Sequence, residues 1–299
     1  MHKTLITGAN GQLGRDLVHE LTGRGVACIA SDIQENFSGE EQCEYLQLNI
    51  TDSVAVSQAF RDTKPERVIH CAAWTAVDAA EDEANRAKVY AVNVTGTENI
   101  ARACAEIGAV MTYISTDYVF DGTGQDAWTP DNENYSPLNY YGFTKLQGEL
   151  AVRKYLQRFF IVRIAWVFGK NGTNFVRTML KLAQTHDTLR VVNDQIGTPT
   201  YTPDLAKLLA DMNSSDKFGI YHATNEGGFI SWYDFACEIF AQAGVKVNVI
   251  PVSTAEYGLS RAKRPSNSRL DKTKLKESGF SPLPDWRDAL RRYLAGGTD

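Results

Sequence analysis

The sequence predicts an α/β fold, a Rossmann-type doubly wound parallel sheet with a smaller C-terminal α+β lobe. Two observations predict it. Short β-branched runs alternate with stretches that carry apolar residues at helical spacing, and a glycine-rich turn follows the first of these runs. Strands that read as continuous apolar runs are typical of a parallel sheet covered by helices on both faces.

The first half of the chain supplies most of the predicted sheet. Strands are predicted at residues 3–7, 26–32, 45–49, 67–74, 110–116 and 160–169. Helices are predicted between them at residues 12–22, 53–63, 84–107 and 141–153. This strict alternation is the order expected of βαβ units.

The alternation loosens in the second half. Helices are predicted at residues 175–185, 204–211, 232–243 and 286–294, among short strands and turns that contain proline. We therefore predict a Rossmann domain over residues 1–169, and over residues 170–299 mainly a smaller lobe that is partly interleaved with the first domain.

Composition excludes several classes of protein. The 299 residues are 43% hydrophobic and 22% charged, which is typical of a globular domain, and the net charge of -5 offers no basic field for nucleic acid. No run approaches the length of a membrane span, and residues 1–10 lack the apolar stretch of a signal peptide. Five scattered cysteines and five scattered histidines indicate reduced thiols and no metal site. We expect a cytoplasmic protein that binds neither nucleic acid nor membrane.

The segment from Gly8 to Gly14 is the first candidate site. Gly8, Gly11 and Gly14 give the spacing G-x-x-G-x-x-G between a strand and a helix. Such glycines allow a tight turn, let the backbone approach a pyrophosphate, and let the helix pack closely on the sheet. Asp32 ends the second strand, where a carboxylate accepts the ribose 2′-hydroxyl and repels a 2′-phosphate, which predicts NADH in preference to NADPH. The alternatives are a plain glycine turn and an aspartate that only caps a strand end.

Tyr141 and Lys145 form the second candidate site. Ser136 is predicted as the N-cap of a helix with Pro137 in its first turn, which places Tyr141 and Lys145 one turn apart on one face. An ammonium there is expected to lower the pKa of the phenol toward neutrality and make it a general acid. Tyr140 has no such neighbour. The alternative is a solvated surface pair.

Polar residues at the end of the fifth strand complete the candidate site. Ser115, Thr116 and Asp117 lie at the carboxyl edge of the sheet, where open α/β folds bind ligands. Thr116 is predicted to hold a substrate carbonyl beside Tyr141. The alternative makes these hydroxyls ordinary strand-end residues.

Together these features resemble the extended short-chain dehydrogenase/reductase superfamily. More narrowly, the chain is similar to the dTDP-4-dehydrorhamnose reductase family, and the resemblance runs essentially from end to end. The matching stretches are GANGQLG, CAAWTAVDAAE, ISTDYVFDG, SPLNYYGFTKLQGE, RIAWVFGKNGTNFV, DQIGTPTY and RPSNSRLD. The resemblance implies hydride transfer from NADH or NADPH to the 4-keto group of a dTDP-6-deoxyhexulose.

The resemblance also implies roles for individual residues. The catalytic set is Thr116, Tyr141 and Lys145, and substrate contacts are expected at Thr116, Asp117, Trp166, Asn174 and Arg264. Cofactor contacts are expected at Gly8, Asn10, Gly11, Gln12, Leu13, Gly14, Asp32, Asn49, Ile50, Ala73, Trp74, Thr75, Ile114, Tyr141 and Lys145. Trp74 departs from the smaller aromatic or His common in the family. Trp166 as a core aromatic, and Arg264 as a solvated charge, are the alternatives.

Two other functions remain open from the sequence. A nucleotide-sugar dehydratase or epimerase uses the same loop and Tyr-Lys pair, but Tyr118 stands where the related 4,6-dehydratases carry Glu. A relative of the family is a regulatory subunit of methionine adenosyltransferase and binds the cofactor without this reduction. A homodimer is a further expectation from the resemblance.

Overall fold

The computed structural model describes residues 2–296, which contain 15 strands and 12 α-helices. The strands are β1 Thr4–Thr7, β2 Cys28–Asp32, β3 Glu44–Gln47, β4 Arg67–His70, β5 Val110–Thr116, β6 Phe159–Ile164, β7 Val167–Phe168, β8 Thr188–Val192, β9 Ile196–Gly197, β10 Thr200–Tyr201, β11 Gly219–His222, β12 Asn225–Glu226, β13 Ile230–Ser231, β14 Asn248–Val252 and β15 Leu283–Asp285.

The helices fill the connections between these strands. They are α1 Gln12–Gly23, α2 Ser53–Thr63, α3 Val77–Ala80, α4 Glu83–Tyr90, α5 Thr97–Ile107, α6 Tyr140–Tyr155, α7 Phe175–Leu182, α8 Thr202–Asn213, α9 Trp232–Ala243, α10 Thr254–Tyr257, α11 Thr273–Glu277 and α12 Trp286–Ala295. A π-helical turn at Ala91–Gly96 joins α4 to α5, and a 3-10 turn at Asp117–Val119 follows β5. No helix within residues 2–296 has the length and apolar character needed to cross a membrane.

Seven parallel strands form the central sheet in the order β11-β6-β5-β4-β1-β2-β3. Two apolar cores cover its opposite faces: α1 and α8 pack on one, while α2 and α5 pack on the other. The strand order reverses between β1 and β4, so a crevice opens at the carboxyl ends of these strands. The Rossmann-type sheet predicted from the sequence is confirmed.

A third apolar core lies in the C-terminal half. Phe168, Phe235 and Trp286 are buried there among α7, α9 and α12, beside the two-stranded parallel sheet of β8 and β14. The chain also returns to the first layer, because β11 joins the large sheet and α8 packs on α1. The domain division at residue 169 stays a prediction, and it has to accommodate these two returning elements.

The start of α6 differs from the prediction. Helix α6 begins at Tyr140, and its N-cap is Asn139, whose side-chain oxygen accepts a hydrogen bond from the Gly142 amide at 2.8 Å. The prediction of Ser136 as the cap was wrong. The Ser136 amide instead donates to the Val119 carbonyl at 3.2 Å, so Ser136 and Pro137 belong to the preceding loop.

The strand predicted at residues 160–169 is interrupted. Trp166 has a φ of 50°, which lies in the left-handed region that strands exclude, and it separates β6 from β7. The predicted helix at residues 84–107 is nearly continuous, but its middle is the π-helical turn. That wider turn carries Asn93, whose side chain is buried.

Candidate active site

The glycine turn packs tightly against the loop after β4 and against the start of α1. Gly8 has a φ of 68°, and a Cβ there would lie 2.6 Å from the Ala72 nitrogen. A Cβ on Gly14 would lie 2.1 Å from the Gly8 carbonyl oxygen, so α1 packs against the turn only because residue 14 is glycine. Gly11 is the N-cap of α1, and no side chain caps this helix or places an acid in its first turn. The free amides at this helix end suit a pyrophosphate.

Asp32 holds the glycine turn in place. Its Oδ2 accepts a hydrogen bond from the Asn10 amide at 3.0 Å, and its Oδ1 accepts one from the Ile33 amide at 2.8 Å. The Asn10 side chain then donates to the Gln34 side chain at 3.2 Å and to the Asn36 carbonyl at 3.0 Å. The capping role considered for Asp32 is therefore present. Its contact with a ribose stays a prediction, and a half-buried carboxylate has further lone pairs available for it.

The loop after β4 brings a second group of predicted cofactor residues to the crevice. Asn93 fixes this loop, because its Oδ1 accepts from the Trp74 amide at 2.8 Å and its Nδ2 donates to the Trp74 carbonyl at 3.2 Å. The same Nδ2 reaches Thr144 on α6 at 3.0 Å. Ala73, Trp74 and Thr75 belong to this loop, whereas Asn49 and Ile50 follow β3, where the Ile50 carbonyl accepts from the Asn99 side chain of α5 at 3.0 Å.

Lys145 lies under the edge of the sheet. Its Nζ donates to the Ile114 carbonyl at 2.7 Å and stands 4.1 Å from the centre of the Tyr113 ring. Burial lowers the pKa of Lys145 to about 7, and the negative charge of Glu149 raises it against that effect. The amine is therefore poised between its two protonation states near neutral pH.

Tyr141 and Thr116 meet at the end of β5. Burial raises the pKa of Tyr141 above its ordinary value, the charge of Asp117 raises it further, and the neighbouring Thr116 hydroxyl lowers it. The sequence predicts a lowered pKa, and that direction was wrong. The Lys145 ammonium points to the Ile114 carbonyl and the Tyr113 ring, and the nearest charge that acts on the phenol is a carboxylate.

Asp117 is buried beside these residues. The Thr116 hydroxyl donates to its Oδ1 at 3.1 Å. Burial raises the pKa of Asp117 to about 6, and the neighbouring Ser268 and Thr116 hydroxyls only partly offset this. The next residue, Tyr118, packs edge-on against the Tyr141 ring with centroids 5.7 Å apart.

A cleft of about 350 Å³ opens in the C-terminal half and reaches Asp78 of α3. Its walls include Phe175, Trp232 and Arg264. The Arg264 guanidinium donates to the Asp78 carboxylate at 2.6 Å, and this pair closes one end of the cleft. Trp166 lies behind Trp232 and stacks on it.

Asn174 links the start of α7 to the glycine turn. Its side-chain oxygen caps α7 by accepting from the Arg177 amide at 3.0 Å. Its amide group donates to the Gly169 carbonyl at 2.8 Å and to the Gln12 side chain at 3.1 Å. These contacts join α7 to the glycine turn, and the contact of Asn174 with a nucleotide stays a prediction.

Sequence reasoning missed four residues that shape the site: Asn93, Glu149, Arg163 and Trp232. Glu149 could have been found by extending the Tyr141 to Lys145 spacing by one more turn. Arg163 could have been found as the charged residue within the apolar strand β6. Asn93 and Trp232 carry no such local signal. Within residues 2–296 no group of three or more His, Cys, Asp or Glu side chains is arranged to hold a metal ion.

The chain matches known proteins over nearly its whole length. The family model described as RmlD substrate binding domain matches residues 1–298. Spore coat polysaccharide biosynthesis protein SpsK of Bacillus subtilis is 40% identical, over 98% of this chain and 97% of that protein. A dTDP-4-dehydrorhamnose reductase of Streptomyces griseus is 41% identical, over 96% of this chain and 91% of that protein.

A solved structure agrees with these matches. The dTDP-4-dehydrorhamnose reductase of Bacillus anthracis in complex with NADP is 38% identical, with a TM-score of 0.90, over 99% of this chain and 100% of that chain. The chain therefore belongs to the RmlD substrate binding domain family, the family of the dTDP-4-dehydrorhamnose reductases.

Proposed function

We propose that this chain is an NAD(P)H-dependent oxidoreductase that reduces the 4-keto group of dTDP-4-dehydro-β-L-rhamnose to give dTDP-L-rhamnose. Family membership and the names of the relatives support the activity. The observation that carries the proposal for the chemistry is the meeting of α6 with the carboxyl end of β5, where Lys145 donates to the Ile114 carbonyl at 2.7 Å and Tyr141, one helical turn away, lies beside Thr116.

The glycine turn fits a dinucleotide. Gly8, Gly11 and Gly14 leave a cradle that side chains would fill, and the uncapped start of α1 faces it. Asp32 stands at the end of β2, where it would meet the adenosine ribose. The loop held by Asn93 would line the nicotinamide side. A bound NADH or NADPH supplies the hydride for the reduction.

Tyr141 is the proposed proton donor. Its raised pKa keeps the phenol protonated at neutral pH, which is the form that can give a proton to the oxygen of the reduced carbonyl. Thr116 lies beside this phenol and is proposed to orient the carbonyl there. Lys145 is proposed to hold the nicotinamide ribose and, as an ammonium, to stabilise negative charge that develops on the phenol oxygen.

The strand ends of the first domain and the second lobe together supply the proposed substrate contacts. Asp117 lies next to Thr116 and would meet hydroxyl groups of the sugar. Arg264 provides the guanidinium that a pyrophosphate requires, and it lies at the wall of the cleft. Trp166 and Trp232 form the aromatic side of the same region.

We further propose that NADH is preferred over NADPH. The Asp32 carboxylate is the supporting observation, because it would accept the 2′-hydroxyl of NADH and repel the 2′-phosphate of NADPH. The bound NADP in the Bacillus anthracis relative belongs to that protein. It gives no ranking of the two cofactors here.

Tyr118 favours reduction over water elimination. It occupies the position after Asp117 at which the related 4,6-dehydratases carry an acidic residue, and its hydroxyl accepts a hydrogen bond from Arg264 at 3.4 Å. Burial raises the pKa of Tyr118 to about 12, so this phenol does not replace a carboxylate that gives and takes protons near neutral pH. An epimerase would also regenerate its cofactor in each turnover.

We also propose a cytoplasmic location and a homodimeric state. The five cysteines, all free, support a reducing compartment. The homodimer rests on the resemblance alone.

An assay at 340 nm tests the proposal. Purified protein receives NADH or NADPH together with dTDP-4-dehydro-β-L-rhamnose made in situ by the enzymes that precede this step. We expect loss of one NADH for each dTDP-L-rhamnose formed, and a lower KM for NADH than for NADPH. Intact cofactor binding without turnover would instead favour the regulatory-subunit function.

A further inference from the structure

A row of buried polar residues crosses three strands of the central sheet. Ser115 on β5 lies opposite Arg163 on β6, and Arg163 lies opposite His222 on β11. Glu149 of α6 covers this row. Its Oε1 accepts from Ser115 Oγ at 2.5 Å and from Arg163 Nε at 2.9 Å, and its Oε2 accepts from Arg163 Nη2 at 2.7 Å.

The pair of Glu149 and Arg163 is fully enclosed. The Arg163 side chain is 0% exposed and the Glu149 side chain 1%. A buried ion pair of this kind gives little stability relative to apolar side chains of the same volume, because both charges lose their hydration. Stability alone therefore does not explain why the helix carries a carboxylate at this point.

Glu149 continues the line of residues that carries Tyr141 and Lys145. The three lie four residues apart, so they share one face of α6. Lys145 donates to the Ile114 carbonyl, and Glu149 accepts from the Ser115 hydroxyl. Two consecutive turns of the helix are thus hydrogen-bonded to two consecutive residues of β5.

The close packing of α6 on β5 makes these contacts possible. Gly148 faces the strand, and a Cβ there would lie 2.2 Å from the Tyr113 hydroxyl oxygen. The same hydroxyl donates to the Lys145 carbonyl at 3.2 Å. Any change in the depth of the helix would move the ammonium of Lys145 and the phenol of Tyr141 together.

Several titratable groups surround Lys145. Glu149 acts on it from its own helix, Tyr113 from β5, and His70 and Cys71 from the end of β4. Burial lowers the pKa of His70 to about 3 and raises the pKa of Cys71 to about 12, so both are neutral at pH 7. Burial also raises the pKa of Tyr113 well above its ordinary value. Among these described groups, Glu149 is the one that faces Lys145 with a full negative charge.

We propose that Glu149 is a positioning residue for the reduction: held by Arg163 and Ser115, it keeps Lys145 in its ammonium form and in register with Tyr141 at the end of β5. This inference rests on the proposed function, because it assigns Lys145 a task in cofactor binding and catalysis. Glu149 itself touches neither substrate nor cofactor in this assignment.

The direction in which loss of the Glu149 carboxylate shifts the pH dependence follows from the surroundings of Lys145. Its pKa lies near 7, with burial lowering it and Glu149 raising it. The ammonium form exists below that pKa and is lost as the pH rises through it. Without the carboxylate the pKa falls further, so a process that needs the ammonium loses its alkaline range first.

The test compares the pH dependence of two properties in wild type and Glu149→Gln. The first is kcat/KM for the keto sugar. The second is NADH affinity, followed by quenching of tryptophan fluorescence. We expect the alkaline limb of both profiles to move to lower pH by at least about one pH unit, the usual effect of losing a close opposite charge. Glu106→Gln is the matched control, because it makes the same change of charge at an exposed position of α5, and its limb stays in place.

Glu149→Gln leaves Arg163 without its partner, so a second variant guards against misfolding. Glu149→Gln combined with Arg163→Leu removes both buried charges and is expected to show the same direction of shift. Glu149→Asp restores the charge and is expected to restore the limb. A folded Glu149→Gln or double variant whose two limbs match wild type would overturn the proposal. Wild type that binds NADH without reducing the sugar would contradict the proposed function, while the NADH profile would still decide the role of Glu149.

Discussion

The indole rings of Trp166 and Trp232 are stacked, with centroids 3.8 Å apart and planes 15° apart. Trp166 sits at a φ of 50°, a conformation that costs a residue other than glycine about 1–3 kcal/mol. Gly197 leaves room for its ring, since a Cβ there would lie 2.9 Å from the indole. Phe175 supports Trp232 from the far side at 4.5 Å. The stack therefore holds Trp166 in a strained position next to the cleft.

Trp232→Ala is expected to raise KM for the dTDP sugar about two- to twelvefold, because an aromatic pair contributes about 0.5–1.5 kcal/mol. NADH affinity should not change, since the glycine turn lies elsewhere. Steady-state kinetics and cofactor titration measure the two effects. Trp232→Phe keeps a ring against Trp166 and should show a smaller rise. An unaltered KM in the alanine variant would remove the stack from substrate binding.

Tyr141→Phe is expected to lower kcat by about 10²- to 10⁴-fold, the usual contribution of a positioned general acid. The phenol hydroxyl is absent in this variant, whereas the glycine turn is intact, so NADH binding should persist. Tyr140→Phe is the matched control, because that hydroxyl reaches only the Arg86 carbonyl at 3.4 Å. Near-normal turnover in Tyr141→Phe would refute its role as the proton donor.

Asp117→Asn is expected to make the protein more stable at pH 8 and to leave stability nearly unchanged at pH 4. Burial raises the pKa of Asp117 from 3.8 to about 6 in the folded protein, so its ionisation at higher pH opposes folding. The difference between these two values corresponds to about 3 kcal/mol. Urea unfolding of both proteins at the two pH values measures it. An equal difference at pH 4 and pH 8 would show that the charge of Asp117 is not the cause.

Asp32→Asn tests the cofactor preference. The amide keeps an oxygen that can accept from the Asn10 backbone, but it no longer repels a 2′-phosphate. We expect the ratio of KM for NADPH to KM for NADH to fall about tenfold, a change of about 1.4 kcal/mol. Glu35→Gln makes the same change of net charge at an exposed position nearby and should leave the ratio alone. An unchanged ratio in Asp32→Asn would contradict the role of Asp32 in the preference for NADH.

Arg163→Leu is expected to reduce the free energy of unfolding by about 3–5 kcal/mol, because it leaves the buried Glu149 carboxylate without its ion partner. Combining it with Glu149→Leu removes both charges and should recover most of that loss. Denaturant unfolding of the two single variants and the double variant gives the coupling energy. Additive losses would show that the two side chains act independently.

Local patterns predicted most of the fold. Each strand of the first half contains β-branched or aromatic residues between turns, and parallel order follows from the helical connections. The break at Trp166 could not be predicted, since the stack on Trp232 that supports its strained backbone joins residues 66 positions apart. The start of α6 was missed for a more local reason: Ser136-Pro137 and Asn139 are both good caps, and the bond from the Gly142 amide selects Asn139.

Helical spacing and the positions of the strand ends predicted part of the candidate site. Thr116, Tyr141 and Lys145 were found because two short patterns meet at one sheet edge. The surroundings that set their pKa values were not found. Burial and the Asp117 carboxylate raise the pKa of Tyr141, and Lys145 is turned toward β5. Both facts depend on the packing of α6 against the sheet, which no single stretch of sequence contains.

The most direct test of the reductase assignment follows the hydrogen that the cofactor delivers. Wild-type protein is supplied with dTDP-4-dehydro-β-L-rhamnose and NADH that carries deuterium at both nicotinamide C4 positions, and the product is analysed by NMR and mass spectrometry. We predict dTDP-L-rhamnose with one deuterium, at C4 of the sugar, and one NADH consumed for each product. A product without deuterium, or with deuterium at another carbon, would contradict reduction at C4.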